Sequence, residues 1–162
     1  MLESLITSQI LTIGFVFVAI MMMFLFLFRS IKFAFIAVIP SIIASSSVLG
    51  LMGLMNIPLD IMTITIAAIC IGIGVDHSIH YVHRFREEIS NDSNISIAIH
   101  KAHNSTGQAI YFTSVIIILG FSILAFSNFI PTIYFGLFTA FAMLLALFAN
   151  LTLLPVLLMK LR

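Results

Sequence analysis

The stretch IMTITIAAICIGIGVDHSIHYVHRF, residues 61–85, places one carboxylate and three imidazoles in the second half of a long apolar run. A helix that crosses a bilayer needs about 20 mostly apolar residues, and this stretch reaches that length before its first basic residue, Arg84. It therefore predicts a membrane-spanning helix over residues 60–83, with Asp60 as its N-cap. In a straight helix Asp76 lies about 24 Å from Asp60, so the acid is predicted to lie at membrane depth.

The composition of the whole chain supports this assignment. The chain has 162 residues, of which 62% are hydrophobic and 8% charged, whereas a soluble domain carries about 25% charged residues. This composition excludes a soluble globular protein, a nucleic-acid binder and a disordered tail. The single cysteine, Cys70, excludes a disulfide framework. The sequence contains no arrangement of catalytic residues typical of a hydrolase or a transferase, so we do not expect an enzyme.

Four more apolar runs predict four further membrane helices. Their approximate bounds are 5–28, 33–55, 107–127 and 132–158. As a single helix, residues 104–159 would be about 84 Å long, nearly three times the thickness of the hydrocarbon core, so the helix breakers at 127–131 must divide the run. We predict one all-α domain over residues 1–162, a bundle of five transmembrane helices.

Positive charge is confined to one side of this topology. The residues concerned are Arg29, Lys32, Arg84, Arg86, Lys101, Lys160 and Arg162. By the positive-inside rule the C-terminus is cytoplasmic and the N-terminus faces outward. Residues 84–104 are then a cytoplasmic loop, within which apolar residues at helical spacing from Ile95 to Ala102 suggest a short interfacial helix.

Asp76 is the residue most indicative of function. An ionisable side chain within a membrane helix is expensive, so it should face the bundle interior, and such residues often mark proton relays. His80 and His83 share its helical face, which Glu87 extends, and imidazole titrates near neutral pH. The alternative is a hydrated Asp76 near the inner interface, paired with Arg84 or a histidine.

Other residues are predicted to support the acid. Gly72 and Gly74 allow close helix packing beside it, and Ser114 and Asn150 are expected opposite Asp76. A metal site built on His77, His80 and His83 fits poorly, because spacing of i, i+3, i+6 winds around the helix. We therefore expect no metal and no cofactor.

The stretch GIGVDHSIHYVHRFREE (72–88) resembles the central helix of the resistance–nodulation–division (RND) superfamily, in its MMPL-like and hopanoid-exporter-like branch. Residues 39–63, 106–141 and 149–158 resemble the helices around it, so the resemblance covers nearly the whole chain. Five helices of this size also resemble the sterol-sensing-domain unit. The resemblance implies proton-driven export of lipids or other hydrophobic compounds across the bacterial plasma membrane, with Asp76 as the proton carrier.

The resemblance also adds His77 to the relay of Asp76 and His80, because many relatives have Tyr or Asp where His77 stands. Relatives often have an acid where this chain has Asn150. Family members usually have twelve spans in two halves, each with an external domain, and this chain resembles the last five spans of the C-terminal half. The implied partners are membrane lipids, a hydrophobic substrate and a missing half or external domain on another chain, or a second copy. A sterol- or lipid-sensing module without transport and a non-functional remnant remain alternatives.

Overall fold

The computed structural model describes residues 2–57, 61–92 and 94–160, and within these ranges every regular element is helical. The α-helices are α1 (Leu2–Phe28), α2 (Ile31–Leu54), α3 (Ile61–Asp92), α4 (Ile95–Ala102), α5 (Gln108–Ile123), α6 (Ile130–Phe148) and α7 (Leu154–Met159). Two π-helical turns, His103–Gly107 and Ala149–Leu153, join α4 to α5 and α6 to α7. We call these the first and second π turns.

Four described segments are long and apolar enough to cross a membrane. They are Ile31–Leu54, Ile64–Ser90, Ile95–Phe126 and Ile130–Met159, and a shorter apolar helix covers Gly14–Phe28. The predicted all-α class is confirmed, with four to five apolar helices forming the bundle. The segments differ in burial. In an 18-residue apolar window of Ile64–Ser90, 50% of the window is buried, whereas in the corresponding window of Ile95–Phe126 only 11% is buried.

The breaks between the spans fall where the helix breakers predict them. A 3₁₀ turn at Leu124–Phe126 ends the fifth helix, Ser127 is extended, and α6 restarts at Ile130 with a proline in its first turn. After α2, Asn56 adopts a left-handed conformation with φ of 53° and reverses the chain. Asp60, the predicted N-cap of the third span, lies outside the described residues.

The boundary of the third span differs from the prediction. Helix α3 continues to Asp92, so the region 84–104, predicted as a loop, is almost entirely helical. Arg84 pairs with Glu87 and Glu88 three and four residues along the helix, and such pairs support helical structure. The short helix predicted from residue 95 is present as α4, whose N-cap is Asn94, and Ala98 and Ala102 on it are buried.

Helix α3 lies between two apolar clusters and belongs to both. Ile66 and Cys70 pack with residues of α2 and α6, and further along the helix Tyr81 and Phe85 pack with residues of α1, α4 and α7. Many buried positions carry small side chains, among them Ala34, Ala37, Ala44, Ala142 and Ala146. Small residues let membrane helices approach closely. This packing matters because the hydrophobic effect does not drive helices together within lipid.

Arg84, Arg86 and Lys101 lie at one end of the described bundle, and we call it the basic end. Arg86 on α3 donates to the carbonyl oxygen of Phe28 at the end of α1 at 2.9 Å, and its guanidinium lies 5.4 Å from the centre of the Phe33 ring. Glu88 forms ion pairs with Arg84 and with Lys101. These contacts bring the ends of α1, α3 and α4 together and close the bundle at that end.

Candidate functional site

Asp76 and His80 form a pair on one face of α3. The His80 Nε2 atom lies 3.4 Å from Asp76 Oδ1, and the side chains are 66% and 65% exposed. Residues four apart on a helix lie above one another, so this contact follows directly from the spacing. Of the partners considered for a hydrated Asp76, the histidine is the one observed, since Arg84 pairs with Glu87 and Glu88 instead.

The expectation that Asp76 faces the interior of this bundle is wrong. Gly72, Asp76, His80, His83 and Glu87 are all exposed and form one stripe along α3, which we call the acid stripe. The opposite side of the helix is filled by bulky residues such as Tyr81, Val82 and Phe85. Packing these large side chains inward turns the acid stripe outward.

A cavity of about 520 Å³ opens beside the acid pair, between α3 and the start of α5. Its α3 wall carries Asp76, His77, His80 and Arg84, and its other wall carries Ser105, Thr106, Ala109, Ile110 and Thr113. We call it the acid cavity. Three hydroxyl groups thus face one carboxylate, two imidazoles and one guanidinium around a space large enough for several water molecules.

The hydroxyl wall of the acid cavity is absent from the sequence-based prediction. Thr106, Ala109, Ile110 and Thr113 follow the i, i+3, i+4, i+7 spacing of one helical face, and two of the four are polar. That spacing is the signal that could have found them.

His77 lines the same cavity but is buried, with 4% of its surface exposed. Its Nδ1 atom has no hydrogen-bond partner among the described residues. A buried imidazole nitrogen without a protein partner is free to bond to water in the adjoining space. The structure therefore brings together the three predicted relay residues, Asp76, His77 and His80, around one cavity.

The two glycines differ in their surroundings. A Cβ atom on Gly74 would lie 2.8 Å from Ser41 Oγ and 3.6 Å from Ser41 Cα on α2, whereas a Cβ on Gly72 would have nothing within 4 Å. The packing notch predicted at Gly72 is therefore wrong for this bundle, because Gly72 lies on the exposed acid stripe. Gly74 is the residue that allows α2 to approach.

Asn150 and Ser114 do not face Asp76. The Asn150 side chain is buried in the second π turn, where it accepts a hydrogen bond from Ser78 Oγ at 2.8 Å and donates to the carbonyl of Ala146. Ser114 is also buried, and its hydroxyl has no partner among the described residues. The placement of both opposite Asp76 is wrong, and Thr113, next to Ser114, is the residue that lines the acid cavity.

Glu88 holds the rim of the site in place. Its side chain is 9% exposed, and its two carboxylate oxygens pair with Arg84 at 2.6 Å and with Lys101 of α4 at 3.6 Å. Arg84 is thus held by the two glutamates of its own helix, and among the described residues no ion pair joins it to Asp76. The cationic rim of the acid cavity is therefore neutralised by glutamates, and the Asp76 carboxylate keeps its contact with His80 alone among the ion pairs of the described residues.

The five histidines do not converge on a metal site. His100 contacts the Asn104 amide at 3.3 Å, and His103 lies 3.5 Å from the hydroxyl of Tyr81. Within the part of the chain that the structure describes, no three His, Cys, Asp or Glu side chains are close enough to hold one ion.

Similarity to known proteins agrees with the all-helical membrane fold. The profile of the MMPL family matches residues 2–161. A membrane protein of Methanocaldococcus jannaschii is 31% identical over 150 residues, covering 93% of this chain and 39% of the relative. The hopanoid transporter HpnN of Burkholderia multivorans is 33% identical over 105 residues, a match that covers 62% of this chain and 11% of that protein.

A third relative is the trehalose monomycolate exporter MmpL3 of Mycolicibacterium smegmatis, which is 27% identical over 88 residues, or 51% of this chain and 9% of the exporter. The chain thus spans about two fifths of the length of the archaeal relative and smaller shares of the two transporters. The family match over residues 2–161, together with the apolar helices, identifies the chain as a multi-pass integral membrane protein of the MMPL family, within the RND superfamily.

Proposed function

We propose that this chain is the transmembrane module of an exporter of lipids or hydrophobic compounds that is driven by the proton-motive force. The observation that carries the proposal is the position of Asp76, near the middle of the apolar segment Ile64–Ser90 and beside His80 at the wall of a polar cavity. An acid in such a segment is costly to retain, and in membrane proteins such acids serve proton and ion pathways.

Protonation of Asp76 is the step that couples the gradient to the bundle. The neutral acid can move against apolar surroundings, whereas the carboxylate needs water or a cation. A change of charge at this position therefore biases the bundle between two packings. In this proposal His77 and His80, which line the cavity with Asp76, pass the proton between the acid and water.

The proton leaves through the acid cavity towards the basic end. Ser105, Thr106 and Thr113 line that route, and hydroxyl groups can donate and accept hydrogen bonds along a chain of water molecules. Assigning the basic end to the cytoplasm follows the positive-inside rule. In this orientation the N-terminus faces outward, and proton flow is directed into the cell across its plasma membrane.

A further membrane bundle completes the transporter by covering the acid stripe. Asp76 and His80 are about two thirds exposed in this chain, and a carboxylate against lipid tails is strongly disfavoured. A second half of the transporter or a second copy of this chain would shield the stripe. External domains that handle substrate belong to the same proposed assembly.

The substrate class rests on the relatives. Two of them are named for transport of a hopanoid and of trehalose monomycolate, which supports a lipid or another hydrophobic compound as cargo. We propose no enzymatic activity, because the acid site holds a carboxylate, imidazoles and hydroxyls without an activated nucleophile arrangement among the described residues.

Efflux of a lipophilic dye from cells that express the full chain with its companion subunits tests the proposal. Wild-type efflux should stop when a protonophore collapses the gradient, and Asp76→Asn should remove it while Asp76→Glu retains part of it. Ser47→Ala is the matched control, since Ser47 is exposed on α2 and bonds only to Ile43 of its own helix. Protonophore-sensitive efflux that is unchanged in Asp76→Asn would overturn the relay. Ligand binding that survives Asp76→Asn, with no efflux in the wild type, would favour a lipid-sensing module.

A further inference from the structure

A second cavity, of about 450 Å³, lies on the other side of the first π turn, at the basic end. Its lining includes His103, Asn104, Gln108, Tyr111, Phe112 and Leu151. None of these residues lines the acid cavity, so the first π turn and α5 form a wall between two separate spaces. We call this second space the interfacial cavity.

The polarity of the interfacial cavity changes along the helix axis. His103, Asn104 and Gln108 form its polar part, and Tyr111 and Phe112 follow one turn further into the apolar segment. From residue 104 to residue 112 the helix advances about 12 Å. A membrane lipid has the same sequence of a polar headgroup and then an apolar chain, and tyrosine is enriched at that depth.

The polar part favours an anion over a cation. Asn104 and Gln108 carry amide N–H donors, and a ring nitrogen of His103 that carries hydrogen can also donate. The His100 ring lies 3.3 Å from the Asn104 amide nitrogen, next to the cavity lining. No carboxylate lines this cavity among the described residues, so a bound cation would lack a counter-charge.

Specific contacts keep the interfacial cavity in shape. The His103 imidazole lies 3.5 Å from the hydroxyl of Tyr81, with the two rings edge to face at 6.3 Å, and Tyr81 is fully buried. At its floor, a Cβ on Gly107 would meet the His103 ring at 3.4 Å and Leu151 of the second π turn at 3.6 Å. Glycine at this position leaves the two π turns in contact and the space above them open.

The open side of the interfacial cavity faces the surroundings of the bundle. Tyr111 and Phe112 are 49% and 63% exposed, and only 11% of the most apolar window of Ile95–Phe126 is buried. In a membrane, a surface of this kind is covered by lipid. A lipid molecule can therefore enter the interfacial cavity sideways from the leaflet at the basic end.

We propose that the interfacial cavity binds an anionic membrane lipid, with the headgroup phosphate on His103, Asn104 and Gln108 and the start of an acyl chain on Tyr111 and Phe112. This lipid is a bound component of the membrane module, separate from cargo and from proton transfer at Asp76. The proposal does not depend on transport, since it rests on a cavity that shares no lining residue with the acid cavity.

Native mass spectrometry of the purified full chain, titrated with phosphatidylglycerol or phosphatidylcholine, tests the site. We expect phosphatidylglycerol to be retained in preference to phosphatidylcholine. Gln108→Glu should weaken its binding and Gln108→Lys should strengthen it, each by about 5-fold, the effect of one unit charge near a lipid headgroup. The matched control is Ser96→Glu, which adds the same charge on an exposed position of α4 outside the cavity and should change binding less than 2-fold.

Three outcomes would overturn the proposal. Equal retention of the two lipids would show that the site does not select an anionic headgroup. Equal effects of Gln108→Glu and Ser96→Glu would assign the preference to the overall charge of the basic end. Displacement of phosphatidylglycerol by inorganic phosphate at low concentration would assign the site to free phosphate rather than to a lipid.

Discussion

Ser78 Oγ donates a 2.8 Å hydrogen bond to Oδ1 of Asn150, and both side chains are fully buried. Ser78 lies two residues after Asp76, and Asn150 lies in the second π turn. The bond therefore ties the helix that carries the acid to an irregular turn of the last span. π turns are often found at functional positions in helices, and here one of them is held against α3 by a polar contact.

The Ser78–Asn150 bond should be measurable as a coupling free energy. We expect Ser78→Ala and Asn150→Ala each to lower the free energy of unfolding in detergent, and the double variant to lose less than the sum. The coupling should be about 0.5–1.5 kcal/mol, as for other hydrogen bonds within membrane bundles. Strictly additive losses in a double-mutant cycle would show that the bond does not stabilise the fold.

Glu88 and Glu87 form a matched pair for testing the basic end. Glu88 is 9% exposed and pairs with Arg84 and Lys101, whereas Glu87 is 52% exposed and, among the described residues, forms an ion pair with Arg84 alone. Glu88→Gln should lower the free energy of unfolding by on the order of 2 kcal/mol and speed amide exchange in α4. Glu87→Gln should cost less than about 1 kcal/mol, because exposed ion pairs contribute little. Equal effects in the two variants would contradict the role assigned to Glu88.

Gly74 and Gly72 provide a second matched pair. Gly74→Ala should destabilise the bundle by about 1–3 kcal/mol, since the new methyl group lies 2.8 Å from Ser41 Oγ. Gly72→Ala should be neutral or stabilising by up to about 1 kcal/mol, because alanine favours a helix where there is space. Ser41→Ala should relieve part of the loss in Gly74→Ala. Thermal unfolding of the wild type, Gly72→Ala, Gly74→Ala and the double variant Ser41→Ala, Gly74→Ala tests this. Equal stability of the two single glycine variants would contradict the close approach of α2.

The proposed covering of the acid stripe can be tested by cross-linking. In a Cys70→Ala background, Gly72→Cys places a thiol at an exposed position of the stripe with open space around it. We expect it to form a cross-link to a second membrane chain or copy in native membranes. Ile116→Cys, on the exposed face of α5, is the comparison and should cross-link less. Equal yields at both positions would mean that the acid stripe is not a preferred interface.

The proposed orientation can be tested in the same cysteine-free background. Ser96→Cys lies on α4 at the basic end, and Asn128→Cys lies in the break between α5 and α6. A maleimide that does not cross the membrane should label Asn128→Cys in intact cells and Ser96→Cys only after the membrane is opened. The reverse pattern would place the basic end outside and contradict the positive-inside assignment.

Much of the fold could be predicted because membrane helices satisfy their own backbone groups and must be long and apolar. The break near Ser127 follows from this requirement, and so does the division of the chain into apolar helices. The end of α3 could not be placed in the same way. Its last turns, beyond His83, contain charged residues that also suit a hydrated loop, and the ion pair between Glu88 and Lys101 that ties these turns to the bundle depends on the position of α4.

The sequence by itself determined the helical class, the family and the Asp76–His80 pair, because a spacing of four residues on a helix brings two side chains together whatever surrounds them. Only the tertiary structure decided which way that pair points. Both sides of α3 carry polar residues, so the periodicity of the sequence does not show which side of the helix faces the bundle interior. The packing of Tyr81 and Phe85 against other helices turns Asp76 outward. The same packing places Thr106 and Thr113 of a distant segment around the cavity that Asp76 lines, and their spacing alone does not show which helix they face.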